Sequence, residues 1–384
     1  MNRVTMEILG RFSDDLEANR LVWKGEFRRV LILKWAVCLA ILSEIVSSPH
    51  LWFGERFFPR IPVIGVLPDL PVVVGNVLFA GFVVGLLAVL VLAEPKRFIV
   101  VTVGLGIALV AFDINRLQPW FYQYLLILAA FAFAKKPQVI VGVILSATYI
   151  WSGIQKLNMS FASIVVPDLF GDWLRPVWFL IPLFEVLVGV SLFIPRTRVV
   201  GIVGAILLHT ALLFELGPLG RSLNSAIWPW NFWLIILALV VFAKNADPLP
   251  SLAFKSIWGK AFCALVVVMP AFNFLGVWDD YLSMTMYSGR SVAGYIFLTE
   301  NGAKSVPQRL EPCLIHRPDR IGFDLYRWSM SELKVPSYPQ QRVYQRIARS
   351  LVDMGIPESE MTLILTDRPG LNTTTSGVHT VPIR

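Results

Sequence analysis

Cysteine is scarce: three in 384 residues, Cys38, Cys263 and Cys313, and no CxxC pair. That excludes a disulfide framework and argues against a dithiol redox enzyme. Histidine is nearly as rare, with four residues. No HxxxH or HExxH accompanies His209, so no metal site is predicted. Charged residues make up 16% of the chain, against about 25% in soluble domains. The sequence shows no internal repeat and no pair of Gly/Pro-broken apolar segments in matching positions, which counts against a transporter. No small-residue cleavage site follows the first apolar run, so a cleavable signal peptide is not expected. The net charge of +8 does not point to nucleic acid. Much of the Lys and Arg sits in short connections between apolar runs, where membrane topology accounts for it.

What the chain has in excess is apolar length. Hydrophobic residues make up 56% and the mean hydropathy is +0.65. The expected fold class is an all-α polytopic membrane bundle with a small C-terminal α+β domain. Apolar runs fall at 30–48, 71–93, 98–112, 119–134, 138–157, 176–194, 198–215, 229–244 and 255–278, which predicts about nine spans. Several are shorter than the roughly 20 residues of a straight crossing and must be extended or buried in the bundle. The stretch 49–70, with Leu51-Trp52-Phe53 and Phe57-Phe58, reads as an interfacial aromatic loop. Ser13-Asp14-Asp15 is a candidate cap for a short amphipathic helix running to Arg28.

Basic residues set the expected orientation. Fifteen fall on the side of the N-terminus and six on the other, which predicts a cytoplasmic N-terminus. The expected organisation is a cytoplasmic arm (1–29), a transmembrane bundle (30–278) and an extracytoplasmic α+β domain (279–384), in a bacterial inner (plasma) membrane. In the last part, 292–298 and 361–365 read as strands, Asn301-Gly302 as a turn, and 339–354 as a helix capped by Ser337 and ended by Gly355. The Thr- and Gly-rich tail from Gly370 reads as a mobile terminus.

The polar exceptions inside this apolar background carry the functional reading. Lys156 ends the fifth run, and on a helix it shares a face with Tyr149 and Ser152. A snorkelling interfacial lysine is the bland alternative. Glu185 lies mid-span and must find a partner or stay neutral; it reads as a structural intramembrane acid. His209 sits in the outer half of its span. Asp113, Arg116, Gln118 and Trp120 form an outer turn, with an Asp113–Arg116 pair at i, i+3. Asn224, Trp230 and Asn231 belong to another outer loop and the start of the span after it. Asp113, Arg116, Gln118, Lys156, His209, Asn224, Trp230 and Asn231 all map to the outer half, which implies a cavity open on that side. Lys156 and His209 are the candidate catalytic residues. Asp113, Arg116, Gln118, Trp120, Asn224, Trp230 and Asn231 are the candidate substrate-binding set.

Residues 149–157, Glu185 ahead of Gly189 and Leu192-Phe193, the His209 helix and the aromatic turn at 278–288 together resemble the vitamin K-dependent gamma-carboxylase family and its bacterial HTTM relatives. In that family the second lysine of a pair is the base that deprotonates reduced vitamin K, and Lys156 aligns with it. The resemblance implies reduced vitamin K or another quinol as cofactor, a lumenal C-terminal domain, and His209 and Asn231 holding the substrate oxygen. Gln155 replaces the first lysine, Leu213 stands where the family has Asn, and the C-terminal part is much shorter than the carboxylase lumenal domain. These departures count against glutamate carboxylation more than against hydroquinone chemistry. The Arg-Leu-Gln-Pro-Trp turn at 116–120 also looks like DoxX- and MauE-type membrane proteins, which have quinone-linked or redox-maturation roles. That likeness implies the alternative, a non-catalytic subunit that supports an extracytoplasmic protein partner. The expected partners are thus the lipid bilayer, a lipophilic quinone and such a protein, with no nucleic acid.

Overall fold

The structure, a computed structural model, describes residues 3–93, 95–243, 248–366, 368 and 377–383, with side chains from residue 25 onward. The start of the Gly370 tail therefore lies outside the described residues. Each of the nine predicted runs is helical: α1 (Arg3–Ser47), α2 (Val72–Val91), α3 (Lys96–Phe112), α4 (Pro119–Phe133), α5 (Pro137–Lys156), α6 (Leu180–Phe193), α7 (Arg198–Leu216), α8 (Ile227–Phe242) and α9 (Ile257–Leu275). Five helical stretches are long and apolar enough to cross a membrane: Gly25–Ser47, Val72–Val91, Pro137–Lys156, Pro195–Leu216 and Ile257–Leu275. With 17, 15, 14 and 16 residues, α3, α4, α6 and α8 are shorter. At about 1.5 Å per residue, α6 extends only about 21 Å. The chain is a polytopic helical membrane protein.

Glycines set how closely the central helices approach. A Cβ at Gly153 of α5 would lie 2.5 Å from Pro182 O and 3.0 Å from Val186 N of α6. One at Gly189 of α6 would lie 2.7 Å from Ser146 O and 2.9 Å from Ile150 N of α5. The two backbones therefore touch, as small residues allow between membrane helices. Gly201 does the same for α7 against Leu192 N of α6, at 2.7 Å. α9 is irregular. It passes from α-helix through a π turn at Ala264–Val268 into a 3-10 stretch at Met269–Leu275, where Pro270 withdraws an N–H from the ladder.

After α9 the chain builds a five-stranded antiparallel sheet in the order β2-β3-β1-β4-β5, from β1 (Gly294–Leu298), β2 (Leu314–Arg317), β3 (Arg320–Phe323), β4 (Met361–Thr366) and β5 (Val378–Val381). Helices α10 (Leu325–Leu333) and α11 (Gln341–Asp353) pack against β1, and α11 also against β4. Buried Val343, Ile347 and Leu351 meet the inward residues Ile296, Leu363 and Leu365 in one core.

Several local expectations change. α1 runs unbroken from Arg3 to Ser47, so no separate helix begins at Ser13. Asn301-Gly302 lies inside a short helix, Glu300–Lys304, because Thr299 accepts from Gly302 N and caps it. Gln340, not Ser337, precedes α11, and no side chain caps that end. The aromatic loop 49–70 is not a surface belt throughout: Trp52 and Phe58 are buried. Trp52 packs among Phe79, Phe82, Trp120 and Phe121 of the bundle, and the C-terminal unit covers Phe58. Glu332 Oε2 accepts from Phe57 N at 2.8 Å and Phe58 N at 2.9 Å, and Phe58 lies edge-on to Trp328 at 4.9 Å.

Candidate functional site

Close packing of α5 on α6 brings the fifth-run lysine to the mid-span acid. Lys156 Nζ donates to Glu185 Oε2 at 2.9 Å and to Ser152 Oγ at 2.6 Å, with Ser152 O at 3.3 Å. The side chains of both charged partners are over nine-tenths buried. A buried pair keeps its desolvation cost down only when its remaining donors are satisfied, and Ser152 does that for the ammonium.

A second polar chain lies beside the pair. Asn231 Nδ2 donates to Ile227 O at 2.8 Å, which leaves Oδ1 to face His209 Nδ1 at 2.7 Å. Nδ1 must then carry the proton, so Nε2 of the neutral ring is an acceptor. Tyr149 OH lies 2.7 Å from Nε2 and donates to it. The order is Tyr149 O–H to His209 Nε2, and His209 Nδ1–H to Asn231 Oδ1. Behind it, Gln123 Nε2 donates to Thr148 Oγ1 at 2.8 Å and Trp230 Nε1 donates to Gln123 Oε1 at 2.9 Å, which fixes the indole.

Both chains open into one cavity of about 740 Å³. Tyr149, Ser152, Lys156, Glu185, His209 and Asn231 supply its polar end. One wall is made of Leu180, Leu183, Phe184 and Leu187 of α6 and Leu207 and Ala211 of α7. These six are exposed on the bundle's flank, where a bilayer presents its acyl chains. Phe161, Leu169 and Leu174 close the cavity from the α5–α6 connection, and Met284, Met286 and Tyr287 close it from the strap after α9. That strap is held by Asn158, whose Nδ2 donates to Ser288 O at 2.9 Å. Met284 and Tyr287 take left-handed backbone conformations, with φ of 60° and 55°. Burial pushes the Tyr287 hydroxyl up to about 12, offset in part by the hydrogen bond from Asn224, so it is a neutral phenol.

The sequence-predicted residues thus divide. Lys156, Glu185, His209, Trp230 and Asn231 share the cavity. Asn224 does not line it and reaches it only through Tyr287, at 3.4 Å. Asp113, Arg116, Gln118 and Trp120 are elsewhere. Asp113 is buried between Arg56 and Arg116. The Arg116 guanidinium is bound by the carbonyls of Leu51, Trp52 and Leu109 at 3.0–3.1 Å, and it does not line the cavity. Gln118 Nε2 donates to Pro336 O at 3.2 Å, and Asn115 Oδ1 accepts from Tyr338 N at 3.1 Å. Trp120 stacks at a tilt on Trp52. This turn fastens the C-terminal unit to the bundle. Among the described residues no cluster of His, Cys, Asp and Glu has a metal-binding arrangement.

The sequence list missed Tyr149 as a site residue, although its spacing to Ser152 and Lys156 was the signal. It also missed the strap 284–287, which no spacing connects to α5.

The fold and cavity define a class: a polytopic membrane protein with a largely apolar pocket, polar at one end, that opens on the flank of the bundle. Over residues 134–227 the chain is similar to the family described as methylamine utilisation protein MauE. That segment holds all of α5, α6 and α7, and with them Lys156, Glu185 and His209. No curated protein and no solved structure matches the chain.

Proposed function

We propose that this integral membrane protein takes a lipophilic quinone or hydroquinone from the outer half of the bilayer and holds its polar head at Lys156, Tyr149 and His209. The observation that carries the reading is the shape of the cavity: apolar and open where lipid lies, polar and covered where the C-terminal unit lies. A flat ring on an isoprenoid tail fits that division, because the tail stays in the acyl chains while the head meets the buried polar groups. The arrangement of arm (1–29), bundle (30–278) and extracytoplasmic domain (279–384), with the N-terminus in the cytoplasm, belongs to this proposal and rests on the charge count.

The resemblance to gamma-carboxylases assigns the base to Lys156. The Glu185 contact weighs against that role, because Lys156 Nζ is already engaged by that carboxylate and by Ser152. It favours Lys156 as a positive charge beside the ligand's oxygen. Arginine keeps the charge but cannot give up a proton, so Lys156→Arg separates the roles. The test is hydroquinone binding and oxidation by the purified protein in nanodiscs, with and without CO2. As an anion-holding cation, Lys156→Arg retains binding and Lys156→Met loses it. If the arginine variant binds but loses all turnover, the lysine is the base after all. If no quinone or hydroquinone binds, the cavity reading fails.

The MauE similarity favours a second reading. In it the membrane part has no chemistry of its own, and the C-terminal unit supports an extracytoplasmic partner protein. Binding of a quinone without turnover, together with co-purification of one defined partner, would favour it.

A further inference from the structure

Resting on the cavity reading above, we infer that the site takes a weakly acidic lipophilic hydroxyl compound and holds it as the anion, with Tyr149 and His209 accepting the proton. The geometry gives the direction. The Tyr149 hydroxyl donates to His209 Nε2 at 2.7 Å, so its own proton points away from the cavity. Its remaining lone pairs are free to accept a hydrogen bond from a ligand hydroxyl. Asn231, fixed by Ile227 O, holds His209 in the one tautomer that leaves Nε2 basic. Without that amide contact the ring could present an N–H to Tyr149 and the relay would stop.

The step balances. The ligand O–H bond breaks and a new O–H bond forms on Tyr149. The original Tyr149 O–H breaks and an N–H forms at His209 Nε2. No electrons are transferred. A neutral ligand and a neutral imidazole become an anion and an imidazolium. Charges are in place for both products. The imidazolium forms in the cavity that Glu185 also lines, and the anion shares that cavity with Lys156. Among the described residues that line the cavity, the titratable groups are Tyr149 and Lys156 of α5, Glu185 of α6, His209 of α7 and Tyr287 of the strap. Of these only His209 is a neutral base. Lys156 has its N–H groups engaged by Glu185 and Ser152, so it faces the anion as a nearby positive charge and does not make it.

The substrate class follows. A phenol, hydroquinone or enol has a hydroxyl acidic enough to give its proton to imidazole in such a field; an aliphatic alcohol does not. The cavity therefore discriminates by acidity as well as by shape.

The test uses a long-chain alkyl nitrophenol, whose anion absorbs apart from the neutral phenol. Full-length protein in nanodiscs is mixed with the probe in weakly buffered medium containing a pH indicator. The pH is set about one unit below the probe's midpoint in empty discs. The wild type is expected to bind the probe with an anion-to-neutral ratio about tenfold above that in empty discs, one unit of midpoint, and with no proton released to the medium. Tyr149→Phe and His209→Gln are expected to bind it without the extra anion. If the wild type binds the probe neutral, or forms the anion with one proton released and Tyr149→Phe does the same, the relay is overturned and the cavity reading survives. If the wild type binds no probe, both are overturned.

Discussion

At the scale of single residues, the Lys156–Glu185 pair makes a prediction that neither side chain makes alone. Removing one partner leaves a buried charge and costs about 3–5 kcal/mol, whereas replacing both by apolar residues is close to neutral. Lys156→Met and Glu185→Leu are each expected to lower stability in a denaturant titration by that amount, and the double variant is expected to recover most of it. Additive losses would show that the two do not depend on each other. Glu185→Gln, which looks harmless for a lone hydrogen-bonded acid, is expected to behave like the other single variants, because it strands the ammonium. Much of this site was legible residue by residue. Lysine and glutamate stand out in apolar runs because each is expensive there, and the stripe from Tyr149 to Lys156 follows from helical spacing. What spacing did not carry is partnership. Nothing along the chain says that Lys156 meets Glu185 or that Asn231 meets His209, since these contacts span 29 and 22 residues. For the same reason Asp113 and Arg116 looked like cavity residues when they are an interior knot.

At the scale of elements, the contact between α5 and α6 decides whether those partners meet. A methyl at Gly153 would strike backbone atoms that cannot rotate away. Gly153→Ala is expected to destabilise the protein by about 1–3 kcal/mol and to weaken ligand binding, since the helices must part. Gly104→Ala is the control. A Cβ there meets nothing within 4 Å, and alanine is the better helix former by about 0.5–1 kcal/mol. Melting of the two variants in the same detergent checks the contrast, and equal behaviour would mean that α5 and α6 tolerate separation. The apolar runs gave away where the helices lie, because hydropathy and length are local properties. The caps were less legible. Ser13 and Ser337 have the right chemistry for capping, but the chain continues as helix through one and places the other three residues short of the capping position, Gln340.

At the scale of the whole molecule, one carboxylate joins the C-terminal unit to the bundle. Glu332 accepts from two amides of the loop after α1 and receives Trp328 Nε1 at 3.1 Å. Glu332→Ala leaves those donors unmatched, a cost of about 1–3 kcal/mol. It is expected to speed proteolysis of the C-terminal unit while the bundle stays folded; unchanged cleavage would mean that the knot at Asp113–Gln118 suffices by itself. Orientation has its own measurement: a reporter fused after Trp278 is expected to be active outside the cytoplasm, and cytoplasmic activity would put the span count out by one. The sequence made the two-part division visible through the fall in hydropathy after Trp278. The docking was invisible, because Phe57 and Glu332 are 275 residues apart.

Loading through the mouth between α6 and α7, as proposed, has a consequence for how affinity is measured. A protein that loads from acyl chains responds to the mole fraction of ligand in the bilayer and not to its concentration in water. Adding empty lipid should therefore raise the apparent Kd in total ligand in proportion to the lipid added, while Kd expressed per mole of lipid stays constant. Two preparations of the same protein at different lipid loads would then disagree in molar units and agree in surface units.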